Sequence, residues 1–370
     1  MRDKKFLMNL PSEIIVEIFS RLPAVTVMNC KIVCKKSRCL LSTPEFAKLH
    51  LSRSTLCLVS FHYDLHGRRE LCRLFEFNDE IDHHDVYYNP VIKFEPSVLH
   101  DVSGPPTLVG SVNGFVCFRN FDLIKDQLYV CNPITREYVI LPVLEWSAVY
   151  STPVASGFGV STISDQYKVV KFLHKHEFYT TIGARSKITK SECSVYTIGT
   201  DSWRNIGGVP IACEYVYSDV GTFFNGSLHW MIKELEGSKL ISCFNLEEES
   251  FQSFPTPFHV EENKKTSYDL GVISGCLCLS DNNSDFDFVI WVMKDYGVEK
   301  SWAKPQLEHV RALNIFKDGD ILLEGKYLFS YSTQRKSVRK VDIIDRTYYF
   351  IRSMLHISSF LSLKDLYSRM

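Results

Sequence analysis

Hydrophobic spacing changes once along this 370-residue chain, near Ser54, and that change limits the architectures open to it. Before it, apolar residues recur at helical intervals. After it they gather in short runs rich in Val, Ile, Phe, Tyr and Trp, broken by Gly, Asn, Asp and Ser, which is the pattern of many short strands. The chain therefore reads as a small helical module followed by a much larger β-rich body.

The β-rich part repeats. Glycines that open apolar strands stand at Gly110, Gly157, Gly221, Gly271 and Gly319, at intervals of 47, 64, 50 and 48 residues. Most are followed by strand, polar turn and strand, as in residues 128–141, 193–206, 241–254 and 327–341. A four-stranded meander of about 50 residues matches a propeller blade of the kelch class. The length from Leu56 onward predicts about six blades. Residues 56–94 form the least regular of them, and residues 348–366 are placed to supply the strand that closes the ring and removes exposed sheet edges. An irregular β-sandwich is the alternative, and the nearly even spacing argues against it.

Composition narrows the partners. With 45% hydrophobic and 13% aromatic residues the chain can bury a sizeable core. A net charge of −1 and a pI near 6.9 give no electrostatic reason to bind nucleic acid or a membrane surface. No apolar run reaches the ~18–20 residues that span a bilayer, and Met1 to Phe6 lacks the apolar stretch of a signal peptide, so the expected location is cytoplasm or nucleus. The twelve cysteines then read as reduced thiols. The pairs Cys30/Cys34, Cys34/Cys39 and Cys276/Cys278 lack the second pair that a zinc site needs, so no metal or cofactor is expected.

In the N-terminal module Ile14, Ile15, Ile18, Phe19 and Leu22 make an apolar stripe at 3.6-residue spacing. Pro11 suits a first turn, Glu13 and Glu17 favour the positive end, and Pro23 stops the helix. A second helix is expected from a Thr26 cap through Val33, and a third reaching Leu40 and Leu41. A unit this small has a marginal core and is often completed by a partner that covers its apolar surface.

The order Leu10-Pro11, Ile14-Ile15, Leu22-Pro23, Val33-Cys34-Lys35 and Pro44-Glu45-Phe46 resembles the F-box of the large plant families, over residues 8–54. In those families the F-box binds a Skp1-like protein, which bridges to a cullin and a RING subunit of an SCF ubiquitin ligase. The resemblance implies that Leu10, Pro11, Ile14, Ile15, Leu22, Pro23, Val33 and Cys34 form or support the Skp1-facing surface. Two positions depart from the pattern: Ser37 and Cys30 stand where the family usually has aromatics, which implies weaker Skp1 docking.

In the domain expected over residues 55–366, the motifs Asn113-Gly114, Asn132-Pro-Ile-Thr-Arg136, Gly157-Phe-Gly159, Ser202-Trp-Arg204, Asn225-Gly-Ser-Leu-His-Trp230 and residues 290–298 look like the plant F-box-associated interaction domain, a resemblance that covers about residues 110–300. The two resemblances together imply a non-catalytic substrate-recognition subunit, with one face of the β domain binding an unidentified protein. The alternative is a protein-binding scaffold that acts without Skp1.

No Gly-x-Ser-x-Gly, P-loop or dinucleotide fingerprint is present. His174 and His176 share a strand face among lysines and read as an exposed strand, and His83-His84 reads as a solvated loop. The basic residues Arg335, Lys336, Arg339 and Lys340 read as a solvated hairpin. Trp203, Trp230, Trp291 and Trp302 read as blade packing. Residues 79–106 and 174–192, the longest irregular insertions, are the candidates for substrate-binding loops.

Overall fold

The computed structural model describes residues 10–64, 70–76, 92–94, 106–121, 126–144, 151–178, 186–208, 213–216, 218–234, 239–257, 266–283, 288–303, 311–315, 321–324, 328–332, 337–341 and 348–367. These fall into two compact units. The first comprises Met1–Asp122, Gln127–Leu141 and Asp342–Met370; the second comprises Leu123–Asp126 and Pro142–Val341.

The first unit begins with four helices: α1 (Ser12–Phe19), α2 (Ala24–Lys31), α3 (Lys35–Leu40) and α4 (Pro44–Arg53). The three expected helices are present, and α4 adds a fourth. Its start is written in Thr43-Pro44: the Thr43 hydroxyl accepts from the Phe46 amide at 3.2 Å, and proline occupies the first turn, where a missing N–H costs nothing. Helix α2 starts three residues earlier than a Thr26 cap would place it. Pro23, at φ −53° and ψ 146°, already directs the chain into the helix, and Val27 N donates to Pro23 O.

Two antiparallel sheets follow in this unit. One has the strand order Tyr348–Ile357, Leu56–Asp64, Glu70–Glu76, Ile92–Phe94; the other runs Thr107–Val112, Phe115–Phe121, Asp126–Asn132, Glu137–Ile140. The C-terminal strand thus completes the first sheet, pairing from Leu56↔Ile357 to Asp64↔Tyr348. A short helix, α5 (Leu363–Tyr367), ends the described chain. Helices and sheets share one core, in which Ile15, Phe19, Val27 and Phe46 join Val59, Phe61, Phe118, Tyr129 and Phe360.

The second unit holds four more antiparallel sheets, each a meander in chain order. The first runs Ser151–Val160, Tyr167–Phe178, Ser186–Thr197, Arg204–Gly208. In the next, Cys213–Val216 and Thr222–Phe224 both pair with Ser227–Glu234, followed by Lys239–Asn245 and Ser250–Phe254. The others are built from Thr266–Ile273 to Trp302–Ala303 and from Arg311–Ile315 to Ser337–Val341. Six sheets among the described residues agree with the expectation of about six blades.

The repeating glycine motifs have a local cause. Asn113-Gly114, Asn225-Gly226 and Ser274-Gly275 each close a two-residue hairpin with both residues at positive φ. That turn matches the right-handed twist of the flanking strands and favours Asn-Gly. Longer turns use a second device: the carboxamide oxygens of Asn132 and Asn245 each accept two backbone amides, and Arg136 and Glu249 take the positive-φ position.

Two expectations change. Residues 174–192 are mostly regular, since Tyr167–Phe178 and Ser186–Thr197 pair from Thr197↔Lys168 to Ser186↔Phe178; residues 179–185 lie outside the described residues. His174 is buried, with Nδ1 2.8 Å from Ser191 Oγ, so it belongs to the packing of this hairpin and not to an exposed strand. The loop candidate 79–106, His83-His84 and Arg335-Lys336 fall wholly or largely outside the described residues. The tryptophans do pack within the second unit: Trp230 is buried in its core, while Trp203 and Trp302 donate to the carbonyls of Pro142 and Pro255.

Candidate functional site

The sequence stripe of α1 divides into two faces. Ile15 is 0% exposed and Phe19 is buried with it, whereas Ile14 is 46% and Ile18 39% exposed. Residues 14 and 18 are one turn apart and share a face; 15 and 19 share another. A helix needs one apolar face to join a core, so the second, solvent-facing pair has no role in holding the module together. Burial of one pair also explains why a contiguous stripe in sequence cannot separate core from surface.

A second exposed aliphatic pair lies where α2 passes into α3, with Ile32 73% and Val33 67% exposed. The turn beneath it is tightly held. Cys34 caps α3, its sulfur accepting from Ser37 N at 3.4 Å. The Ser37 hydroxyl, fully buried, lies 2.9 Å from the carbonyls of both Cys30 and Cys34. Hydrogen bonds from Ser37 lower the Cys34 thiol below its usual value, while burial raises that of Cys30. The position that departs from the family pattern is therefore inside the module, where Ser37 fixes the turn that displays Ile32 and Val33.

The remaining expected residues take different places. Pro11 and Pro23 are exposed and set the starts of α1 and α2. Leu10 and Leu22 are half-buried against the shared core, so with Ile15 they support the surface from beneath. Of the eight expected residues, Ile14 and Val33 are the strongly exposed aliphatics. Ile18 and Ile32 join them although neither is among the eight; a stripe too wide for a single core-facing side was the available signal for Ile18.

The module's frame is polar and paired. Glu17 receives Arg21 at 2.6 Å and Arg53 at 2.9 Å, and the two guanidinium groups hold its carboxyl below the usual range. His50 is buried between Leu22 O, 3.0 Å from Nε2, and Ser54 Oγ, 2.9 Å from Nδ1; burial lowers its pKa. Lys31 sits 4.3 Å from the centre of the Phe360 ring, and burial brings its ammonium down to about 8.

Among the described residues no three His, Cys, Asp or Glu side chains gather as a metal site, and no helix is long and apolar enough to cross a membrane. What this geometry offers is contact: aliphatic groups held at fixed positions on a small rigid frame.

Comparison with known proteins identifies both parts. The F-box domain matches residues 7–49, and the F-box associated beta propeller domain matches residues 70–361. Among Arabidopsis thaliana proteins, "F-box protein At3g07870" is 31% identical over 317 residues, covering 80% of this chain and 72% of its own. "F-box protein CPR1" is 29% identical with the same coverages, and "F-box/kelch-repeat protein At3g23880" is 28% identical over 88% of this chain and 89% of its own. The helices are thus an F-box, the meander sheets are blades of a β-propeller, and the chain belongs to the family of F-box proteins with an F-box associated β-propeller domain.

Proposed function

We propose that this chain is the substrate-recognition subunit of an SCF ubiquitin ligase, docking on a Skp1-like protein through its F-box and holding a target protein on its β-propeller. One observation carries the docking half: Ile14, Ile18, Ile32 and Val33 are exposed on a helical module that does not need them for its own core. Aliphatic side chains displayed this way favour a protein partner that removes them from water. The chain would itself be non-catalytic, with cullin and RING subunits recruited through Skp1, and would act in cytoplasm or nucleus. Its contribution is proximity, raising the effective concentration of a target lysine near a charged conjugating enzyme.

The test is size-exclusion chromatography of the full chain mixed with Skp1, beside Ile14→Lys and Val33→Asp. A one-to-one complex that either charge abolishes supports the proposal, because both side chains lie outside the core. Leu22→Asp is a poor test, since Leu22 packs on the core and a charge there disturbs the fold. Absence of any complex with the wild-type chain favours the second reading, a Skp1-independent scaffold, for which Ser37 and Cys30 at aromatic positions are the motivation.

A further inference from the structure

The helical module is joined to the first sheet by a short covalent link. Only Ser54 and Thr55 separate α4 from the strand Leu56–Asp64. Two residues limit distance but leave their soft backbone dihedrals open, so the link alone does not set an orientation.

A second crossing comes from the other end of the chain. Beyond the strand Tyr348–Ile357, residues 358–362 and α5 form a strap attached to both sheets of the first unit. Asn132 Nδ2 donates to Ser359 O at 3.0 Å and to Leu361 O at 2.8 Å, and Ser359 Oγ donates to Asn113 O at 2.8 Å. Further along, the Glu137 carboxylate accepts from Ser362 Oγ at 3.0 Å and from Leu363 N at 2.7 Å. Between these attachments the strap turns one ring toward the helices. Phe360 meets His50 edge-on with centroids 4.9 Å apart, lies 5.9 Å from Phe46, and takes Lys31 over its face.

We infer that this C-terminal strap is a latch, in which Phe360, seated among Lys31, Phe46 and His50, fixes the orientation of the helical module on the first two sheets. Its hydrogen bonds to Asn113, Asn132 and Glu137 hold the strap whether or not the helices are engaged, so the ring is a pre-placed key. Releasing it removes the ring that the strap adds to the core shared by helices and sheets, which loosens the module about Ser54 and Thr55 without dismantling either sheet.

The test is a distance distribution in the full chain between bio-orthogonal spin labels at Lys48, exposed on α4, and Ile140, exposed on the second sheet. The wild-type chain is expected to give one narrow distribution and Phe360→Ala a broad one, with sheet hydrogen-exchange protection retained. Glu137→Ala, which loosens the strap at its far end without altering the core, is expected to broaden it partially and keeps the test decisive should Phe360→Ala fail to fold. A folded variant of either kind that keeps the narrow distribution, even with a lowered melting point, overturns the latch and leaves Phe360 as ordinary packing.

Discussion

Lys171 Nζ lies 2.6 Å from Asp126 Oδ2, and each of the two side chains is 1% exposed. An ion pair so deeply buried contributes little net stability over an apolar pair, yet removing one partner is costly because the other charge stays desolvated. Asp126→Ala is therefore expected to lose about 3–5 kcal/mol, whereas the double change Asp126→Leu with Lys171→Met recovers most of it. Urea midpoints of the three proteins decide this, the slope of the transition being unchanged if only stability moves.

Adjacent residues of α1 are expected to separate stability from binding. Ile15→Ala removes a fully buried side chain and should cost about 2–5 kcal/mol in unfolding free energy. Ile14→Ala, on the solvent face, should change stability by less than about 0.5 kcal/mol while weakening Skp1 association. Thermal melts paired with Skp1 titration of both variants give the two readouts. An Ile15→Ala chain that stays stable but loses binding would reverse the assignment of the faces.

Much of this architecture was legible because its determinants are local. Gly114, Gly226 and Gly275, which follow Gly110, Gly221 and Gly271 of the repeat, sit in two-residue turns that only a narrow set of residues can make, so these three motifs show in the sequence. The four-helix count was less accessible: α4 carries a weaker apolar stripe than α1, and its cap at Thr43 lies beside a proline that reads equally as a stop. The docking face was half legible. Motif order pointed to Ile14 and Val33 for the proposed face, and both are exposed, but burial that sends Ile15 inward and leaves Ile18 outside is a tertiary outcome. Phe360 could not be read at all, since its partners Lys31, Phe46 and His50 lie some 300 residues away in sequence.

Two turn glycines should respond unequally to a methyl group. Both Gly114, at φ +87°, and Gly275, at φ +73°, occupy the left-handed region, where an L-residue costs roughly 1–2 kcal/mol. A Cβ on Gly275 meets nothing within 4 Å, so Gly275→Ala should cost about that much and no more. On Gly114 it falls 2.0 Å from Ser359 Oγ, 2.5 Å from Ser359 Cβ and 2.9 Å from the Ser359 amide nitrogen, so the strap must move. Gly114→Ala should therefore be the more destabilising by at least about 1 kcal/mol, as overpacking generally is. Equal melting points for the two variants would mean that the strap yields at no cost.

Acid should weaken the fold before its carboxylates titrate. His229 is buried with Nε2 2.9 Å from the Tyr296 hydroxyl and Nδ1 3.2 Å from Thr222 O, and burial brings its pKa down to about 4. His356, with Nδ1 2.9 Å from Ser111 Oγ, is brought down to about 3 by the same cause. Both folded values lie below the unfolded value near 6.5, so the stability these neutral rings contribute is complete above about pH 6.5. It is lost as pH falls toward 4 and 3, because the unfolded chain binds the protons that the folded chain refuses. The carboxyls of Glu17, Glu247 and Glu249 are held low and act in the same direction, but only below about pH 4.5. Between pH 6.5 and 5 the histidines dominate, and each refused proton contributes a slope of about 1.4 kcal/mol per pH unit. Urea midpoints across this interval should fall for the wild-type chain and fall less for His229→Gln, in which Nε2 can be replaced by an amide that still reaches Tyr296. A wild-type midpoint that stays flat from pH 6.5 to 5 would mean that the two rings take up protons in the fold as readily as in the unfolded chain.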